Sequence, residues 1–214
     1  PSLPFTLNSA VDNLCKNEFD HYRAKAEPHP MFIEHGIDAV PFAHEKMDEW
    51  RNNFKGIRFI NEEAGYNFGG AVDDIWQKPS GQLIVVDVKS TSKNVFDWED
   101  TYSKWEYAKG YQRQLEMYQW LLEKNGFEVA PEGYLVYYNG KKHEPMFNQQ
   151  LTFDLHLVRL ECDNSWVEDA VLSAKATLDG DMPLPAASCE NCNYLKKRWN
   201  VSNKNPSELL GEDD

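Results

Sequence analysis

The segment GAVDDIWQKPSGQLIVVDVKS, residues 70–90, decides the fold because it reads as two strands joined by a tight turn. The second strand begins with the apolar residues 83–86 and then carries Asp87 and Lys89, two positions apart on one face. Residues 79–81, Pro-Ser-Gly, suit a three-residue hairpin loop whose glycine takes the left-handed conformation. The segment therefore predicts an antiparallel hairpin with charged groups at the end of a buried strand.

The length of this loop sets the register of the hairpin. Counting back along the ladder puts Asp73 opposite Asp87, with β-carbons about 5 Å apart on one face of the sheet. Lys89 shares that face because side chains alternate along a strand. Two carboxylates that close repel each other unless a proton or a cation lies between them. A loop longer by one residue would bring Asp74 to this position instead.

The charged face has two interpretations. It is either a solvated edge with a salt bridge or a site for a divalent cation, and the presence of Leu83 and Val85 on the same face favours the second. Two carboxylates, the main-chain carbonyl of Val88 and waters make a Mg²⁺ or Mn²⁺ site. Such an ion lowers the pKa of a bound water, and Lys89 beside it can orient that water. These residues indicate hydrolysis of a phosphodiester.

Composition bounds the class of protein. The chain has 214 residues with 41% hydrophobic residues, which predicts a single folded domain over residues 1–214 and a flexible acidic tail over 200–214. The net charge of −13 excludes a nonspecific nucleic-acid coat but allows a local basic groove. No apolar run is long enough to cross a membrane, and the start lacks a secretory signal. We expect a cytoplasmic protein, or an intracellular one encoded by a phage.

Hydrophobic periodicity predicts helices on both sides of a central group of strands. The predicted helices cover residues 6–27, 43–54, 107–126 and 165–180, and the predicted strands cover residues 65–77, 82–91, 132–142 and 151–162. The fold class is therefore α/β, with a central mixed β-sheet flanked by helices.

The hairpin resembles the G-x-x-D…D-x-K core of the PD-(D/E)xK nuclease superfamily. YQRQLEMYQWLL, residues 111–122, resembles the Q-x-x-x-Y motif of its RecB-type branch, which includes CRISPR-adaptation and bacterial recombination nucleases. The resemblance covers about residues 6–199 and implies a restriction-endonuclease-like core. It also implies that Gln114 and Tyr118, which share one helix face, approach the catalytic lysine and the nucleic-acid backbone. Alternatively, Tyr118 is a core residue and Gln114 is merely exposed.

The resemblance also implies ligands for the metal. FAHEKMDEW, residues 42–50, is similar to the helical H-E motif of the branch, which implies that His44 completes the metal shell. A structural role for this histidine, or a place on the helix surface, is the alternative. Asp73 and Asp87 would bind the ion, and Lys89 would position the attacking water.

The cysteines resemble part of an iron–sulfur site. Some RecB-type nucleases bind a four-iron, four-sulfur cluster through one cysteine near the N-terminus and three near the C-terminus. Cys15, Cys189 and Cys192 match three of these ligands, but no cysteine stands near Arg198, where the fourth is expected. Zinc with a histidine or a water is a second candidate, and a lost site is the expected outcome. Cys162 is predicted to be a buried apolar residue.

The pattern as a whole predicts a metal-dependent nuclease that hydrolyses DNA, single-stranded or at ends. The residues predicted to carry out catalysis are Asp73, Asp87, Lys89, Gln114 and Tyr118. The alternatives are a catalytically silent nucleic-acid-binding module and a subunit of a repair or CRISPR-adaptation complex.

Overall fold

A computed structural model describes residues 6–202 of the chain. The chain divides into two compact units, of which the first runs to Val171 and the second begins at Leu172. The single domain predicted for residues 1–214 stays a prediction. Residues 200–202 of the predicted tail belong to a helix, and residues 203–214 lie outside the described residues. None of the described helices is both long and apolar enough to span a membrane.

The described residues contain helices and strands in mixed order, as the periodicity predicted. The helices are α1 (Thr6–Arg23), α2 (Pro30–Glu34), α3 (Met47–Trp50), α4 (Trp98–Lys104), α5 (Glu106–Lys124), α6 (Val167–Asp179) and α7 (Glu190–Ser202). The strands are β1 (Val40–Pro41), β2 (Ile57–Asn61), β3 (Tyr66–Gly70), β4 (Asp74–Gln77), β5 (Leu83–Thr91), β6 (Val129–Gly140) and β7 (Phe153–Glu161).

The main sheet is mixed, which confirms the predicted fold class. Its strand order is β1-β4-β5-β6-β7, with a parallel β5–β6 pair and antiparallel pairing elsewhere. The central strand β5 is covered on both faces, which explains its continuous apolar run. On one face Val85 packs in a core with Leu115 of α5, and on the other Ile84 and Val86 pack with Phe19 of α1.

The β4–β5 hairpin has the predicted register. Asp74 pairs with Val86, so continuing the ladder by one position puts Asp73 opposite Asp87. The loop closes at Gly81, whose φ of +92° is the left-handed conformation that the turn requires. The three-residue loop predicted from sequence is therefore confirmed.

The first strand of the hairpin is shorter than the sequence indicated. Instead of one strand over residues 65–77, β3 ends at Gly70 and pairs with β2 in a separate two-stranded sheet, and β4 starts only at Asp74. Gly70 is needed at this break because an added β-carbon would lie 2.5 Å from the ring of Tyr118 on α5. The missing side chain lets α5 approach the end of β3.

The predicted helix over residues 43–54 is also shorter in the structure. Only Met47–Trp50 is helical, and His44 lies in the loop before it. The Asn52 side chain accepts hydrogen bonds from the N–H groups of Phe54 and Lys55, which favours a turn directly after the helix.

Candidate active site

Asp73 and Asp87, here called the acid pair, meet where the β4–β5 ladder ends. Asp73 Oδ2 accepts a hydrogen bond of 2.8 Å from the Val88 N–H. Since β4 begins only at Asp74, the carboxylate satisfies an N–H of β5 that a longer strand would have paired. Asp87 is 2% exposed, and this burial raises its pKa to about 7. The Lys89 ammonium opposes that rise, and the negative charge of Asp73 adds to it.

Lys89 connects the acid pair to helix α5. Its Nζ contacts Asp87 Oδ2 and donates a hydrogen bond of 3.4 Å to Gln114 Oε1. Gln114 Nε2 in turn donates to the Tyr118 hydroxyl at 2.8 Å. The Tyr118 ring is buried, which raises its pKa to about 12 and keeps the phenol neutral. The spacing of Gln114 and Tyr118 therefore brings both residues into one hydrogen-bonded chain with the lysine.

Helix α1 contributes two charged residues that the sequence reasoning missed. Lys16 Nζ lies 2.7 Å from Asp12 Oδ2 and 3.7 Å from Asp73 Oδ1. Asp12 Oδ1 is buried and accepts no hydrogen bond among the described residues. The signal in the sequence is an acid–lysine pair four residues apart that flanks the buried Cys15. Such a pair usually lies on a solvated face, but here it faces the acid pair.

A buried ionic cluster anchors the residue next to Asp73. Asp74 is fully buried, and its carboxylate contacts Arg23 Nη2 at 2.7 Å and Arg51 Nη2. Arg51 Nη1 also contacts Asp20 Oδ1 of α1 at 2.8 Å. The cluster ties α1 and the end of α3 to the start of β4. Asp74 is therefore paired with two arginines, and Asp73 is the residue that faces Asp87.

An open cleft of about 480 Å³ gives access to these groups. Its lining residues come from α1, the turn before β4, β5 and α5, and they are Asn8, Ser9, Val11, Asp12, Asp73, Val88, Lys89, Ser90 and Tyr111. One carboxylate of the acid pair and the lysine thus face a space that solvent and substrate can enter.

The donor groups at the cleft fit a hydrated Mg²⁺ ion. No group of three or more His, Cys, Asp or Glu side chains within residues 6–202 is arranged to hold a metal ion. Mg²⁺, however, often binds to one or two carboxylates and keeps several waters for exchange with substrate phosphates. Asp87 Oδ2 is in contact with the Lys89 ammonium, so a cation bound at this oxygen would share or replace that contact. The acid pair and nearby main-chain oxygens are therefore a suitable donor set.

His44 lies in an aromatic cluster. Its ring stacks on Trp50 with 4.3 Å between centroids and meets the edge of Phe127 at 5.6 Å. Its Nδ1 accepts a hydrogen bond of 3.2 Å from the Lys46 N–H. Among the described residues, none of the hydrogen bonds or ring contacts of His44 is with the acid pair. These contacts match the structural alternative, and the role of His44 as a metal ligand stays a prediction.

The cysteines occupy different environments. Cys15 is buried in the first unit beside the Tyr138 hydroxyl at 3.3 Å, and burial raises its pKa to about 12, so the thiol is neutral. Cys162 is half-buried, and its pKa is likewise raised to about 12. In the second unit, the Cys192 N–H donates to Cys189 Sγ at 3.4 Å. Cys15 lies in the first unit and Cys189 and Cys192 lie in the second, and the loss of a metal site at these cysteines stays a prediction.

Comparison with known proteins identifies the family. The model of the PD-(D/E)XK nuclease superfamily matches residues 5–196, which include the acid pair, Lys89 and all of the main sheet. Comparisons with curated proteins and with solved structures gave no match. The mixed sheet with helices on both faces is a restriction-endonuclease-like core. The chain therefore belongs to the PD-(D/E)XK nuclease superfamily.

Proposed function

We propose that the protein is a divalent-metal-dependent nuclease that hydrolyses phosphodiester bonds in DNA, in single strands or at strand ends. Membership of the superfamily supports nuclease chemistry on a nucleic acid. The observation that carries the proposal is the meeting of Asp73, Asp87 and Lys89, with Asp73 and Lys89 at the wall of an open cleft and Asp73 fixed by the Val88 N–H. The DNA preference, the single-stranded or end preference and assignment to the RecB-type branch are parts of the proposal.

Asp73, Asp87 and the main-chain carbonyl of Val88 would hold the Mg²⁺ or Mn²⁺ ion. When bound, the ion supplies a water of lowered pKa and stabilises the negative charge that develops on the phosphate. The two carboxylates neutralise the cation, and waters complete its shell.

Lys89 is the residue that positions the attacking water. Its ammonium lies at the wall of the cleft, where it can donate to a water or to a phosphate oxygen. Gln114 fixes the lysine from the other side. Because Gln114 Nε2 donates to Tyr118, its Oε1 is the atom left to accept from Lys89. The chain of hydrogen bonds from Lys89 through Gln114 to Tyr118, here called the relay, therefore holds the ammonium in one orientation, which preorganises the site.

Lys16 adds a second positive charge 3.7 Å from Asp73 Oδ1. In a chain with a net charge of −13, local cations are needed to attract a phosphate backbone to the cleft. Lys16 and Lys89 offset the charges of Asp12, Asp73 and Asp87, and a bound divalent cation would add the positive charge that attracts the phosphate. The complete set of Asp73, Asp87 and Lys89 favours a nuclease over a silent binding module, and the cytoplasmic location remains a prediction.

The test is cleavage of labelled single-stranded and double-stranded DNA with Mg²⁺, with Mn²⁺ and with EDTA. We expect cleavage with either ion, none with EDTA, and a loss of at least about a hundredfold in Asp87→Asn and Lys89→Ala. Lys104→Ala, which changes an exposed lysine on α4, is the matched control with unchanged activity. Cleavage that continues at the wild-type rate in both active-site variants would refute the assignment.

A further inference from the structure

An aromatic groove lies beside the cleft, between α5 and β3. Its volume is about 600 Å³, and its lining includes Phe68 of β3 with Tyr107, Gly110, Tyr111 and Tyr118 of α5. The α5 members lie at positions i, i+3, i+4 and i+11 of the helix, so they form one face of it. A stripe of this kind normally belongs to a protein core, yet Tyr107 is 46% exposed and Tyr111 is only half-buried. This part of the stripe is therefore open to a ligand.

Two glycines give the groove its shape. A β-carbon at Gly110 would meet no atom within 4 Å, so the helix surface is open there. At Gly70, by contrast, the Tyr118 ring fills the space that a side chain would take. The groove is therefore closed at the Tyr118 end and open beside Gly110.

The groove is continuous with the proposed catalytic cleft. Tyr111 lines both spaces, and Lys89 Nζ lies 4.5 Å from the centroid of its ring. Gln114, which accepts a hydrogen bond from Lys89, also lines the groove. A phosphate held at Lys89 would thus be separated from the groove by a single tyrosine ring.

The chemistry of the lining favours a flat, partly polar ring. Aromatic side chains stack on any nucleobase because every base has a π-face, and stacking of this kind is typical of proteins that bind single strands. A base within a duplex has both faces covered by its neighbours, so it must leave the stack to enter such a groove. Binding through stacking also suits a chain whose charge of −13 disfavours binding through phosphates alone.

We propose that the aromatic groove stacks an unpaired nucleobase next to the scissile phosphate, so that the substrate is single-stranded at the point of cleavage. This inference rests on the proposed nuclease function and assigns its substrate class. Tyr107 and Tyr111 provide the open stacking surface, and Phe68 forms the facing wall.

The test blocks the groove without touching the acid pair. Gly110→Leu places a side chain in the open space and also replaces a poor helix former, so the fold should be retained. Ser103→Leu adds the same side chain at an exposed position of α4 and serves as the control. Tyr107→Ala, which removes an exposed ring, provides a second variant that does not depend on the fit of a new side chain.

Binding is measured without cleavage, by fluorescence anisotropy in EDTA. The probes are a labelled single-stranded oligonucleotide and a strand of equal length made wholly of abasic sites, which keeps the phosphates and lacks the bases. We expect the wild type to bind the normal strand on the order of tenfold more tightly than the abasic strand. Gly110→Leu and Tyr107→Ala should lose most of that difference, and Ser103→Leu should keep it.

Cleavage with Mg²⁺ separates this inference from the nuclease proposal. If both hold, kcat/KM for the single strand falls on the order of tenfold in Gly110→Leu, and a duplex is a poor substrate for the wild type. Equal binding of the normal and abasic strands, or wild-type binding by both groove variants, would overturn the inference even if DNA is cleaved. A difference in binding without any cleavage would support the groove and refute the nuclease proposal.

Discussion

Asp74 and Arg23 form a buried ion pair, with 2.7 Å between Oδ1 and Nη2, directly beside the proposed metal ligand Asp73. Arg51 contacts the other oxygen of Asp74, so the two arginines share this carboxylate, and Asp20 supplies the second negative charge. Each of the three side chains is less than 10% exposed. The start of β4 is thus held in place by charges that have little access to water.

Asp74→Ala should therefore destabilise the fold strongly. It removes the buried carboxylate that both arginines share and leaves them only the half-exposed Asp20, and breaking a buried ion pair typically costs about 3–5 kcal/mol. Urea unfolding followed by circular dichroism measures the loss, and Asp100→Asn, at an exposed ion pair of α4, is the control without a change. A variant as stable as the wild type would show that the cluster does not anchor β4.

Tyr118→Phe tests the relay that holds Lys89. The phenyl ring keeps its packing on Gly70, but Gln114 Nε2 loses its acceptor and the amide is free to turn. The loss of one hydrogen bond of this kind is worth about 0.5–1.5 kcal/mol, so we expect kcat to fall about two- to tenfold with little change in KM. Steady-state kinetics on the single-stranded substrate provide the measurement.

The control for the relay is Tyr102→Phe. Tyr102 donates a hydrogen bond of 2.7 Å to Gln112 Oε1, so this variant removes a comparable bond on a different face of α5. It should keep the wild-type kcat. An equal fall in both variants would indicate a general loosening of α5 and would contradict a specific role for Tyr118.

The parts of the site that the sequence predicted depend on local geometry. The turn ending at Gly81 sets the hairpin register, and that register alone places Asp73 opposite Asp87. Gln114 and Tyr118 are four residues apart on one helix, so their shared face needs no knowledge of the rest of the fold. The alternation of strand and helix was enough to predict the mixed sheet.

The parts that were missed depend on packing between distant segments. Lys16 reaches Asp73 only because α1 lies across the sheet, and an acid–lysine pair on a helix gives no sign of this. The break after Gly70 follows from pairing of β3 with β2, although the strand pattern continues in the sequence. His44 was expected on a helix, but the helix begins only at Met47, and His44 stacks on Trp50 from the loop before it.

Alanine substitutions at the two glycines of the aromatic groove, Gly70 and Gly110, should change the free energy of unfolding in opposite directions. Gly70→Ala should destabilise the fold by about 1–3 kcal/mol, because its β-carbon would overlap the Tyr118 ring. Gly110→Ala should stabilise it by up to about 1 kcal/mol, since alanine favours a helix and nothing obstructs it there. Thermal unfolding of both variants gives the comparison, and a stabilised Gly70→Ala would mean that Tyr118 moves aside freely.

Lys16→Met should raise the affinity of the acid pair for a divalent cation, and this can be measured without any cleavage of DNA. Its ammonium lies 3.7 Å from Asp73 Oδ1 and therefore competes with a divalent cation for this carboxylate. Unit charges about 4 Å apart interact by about 1–4 kcal/mol near a protein surface, so Mn²⁺ should bind at least about fivefold more tightly to the variant. Electron paramagnetic resonance of free Mn²⁺ measures this affinity directly.

Two further variants serve as controls. Lys104→Met, at an exposed lysine of α4, should bind Mn²⁺ as the wild type does, and Asp73→Asn should bind it far more weakly. Weaker binding by Lys16→Met would contradict competition and would mean instead that the lysine holds Asp12 and Asp73 in position for the ion.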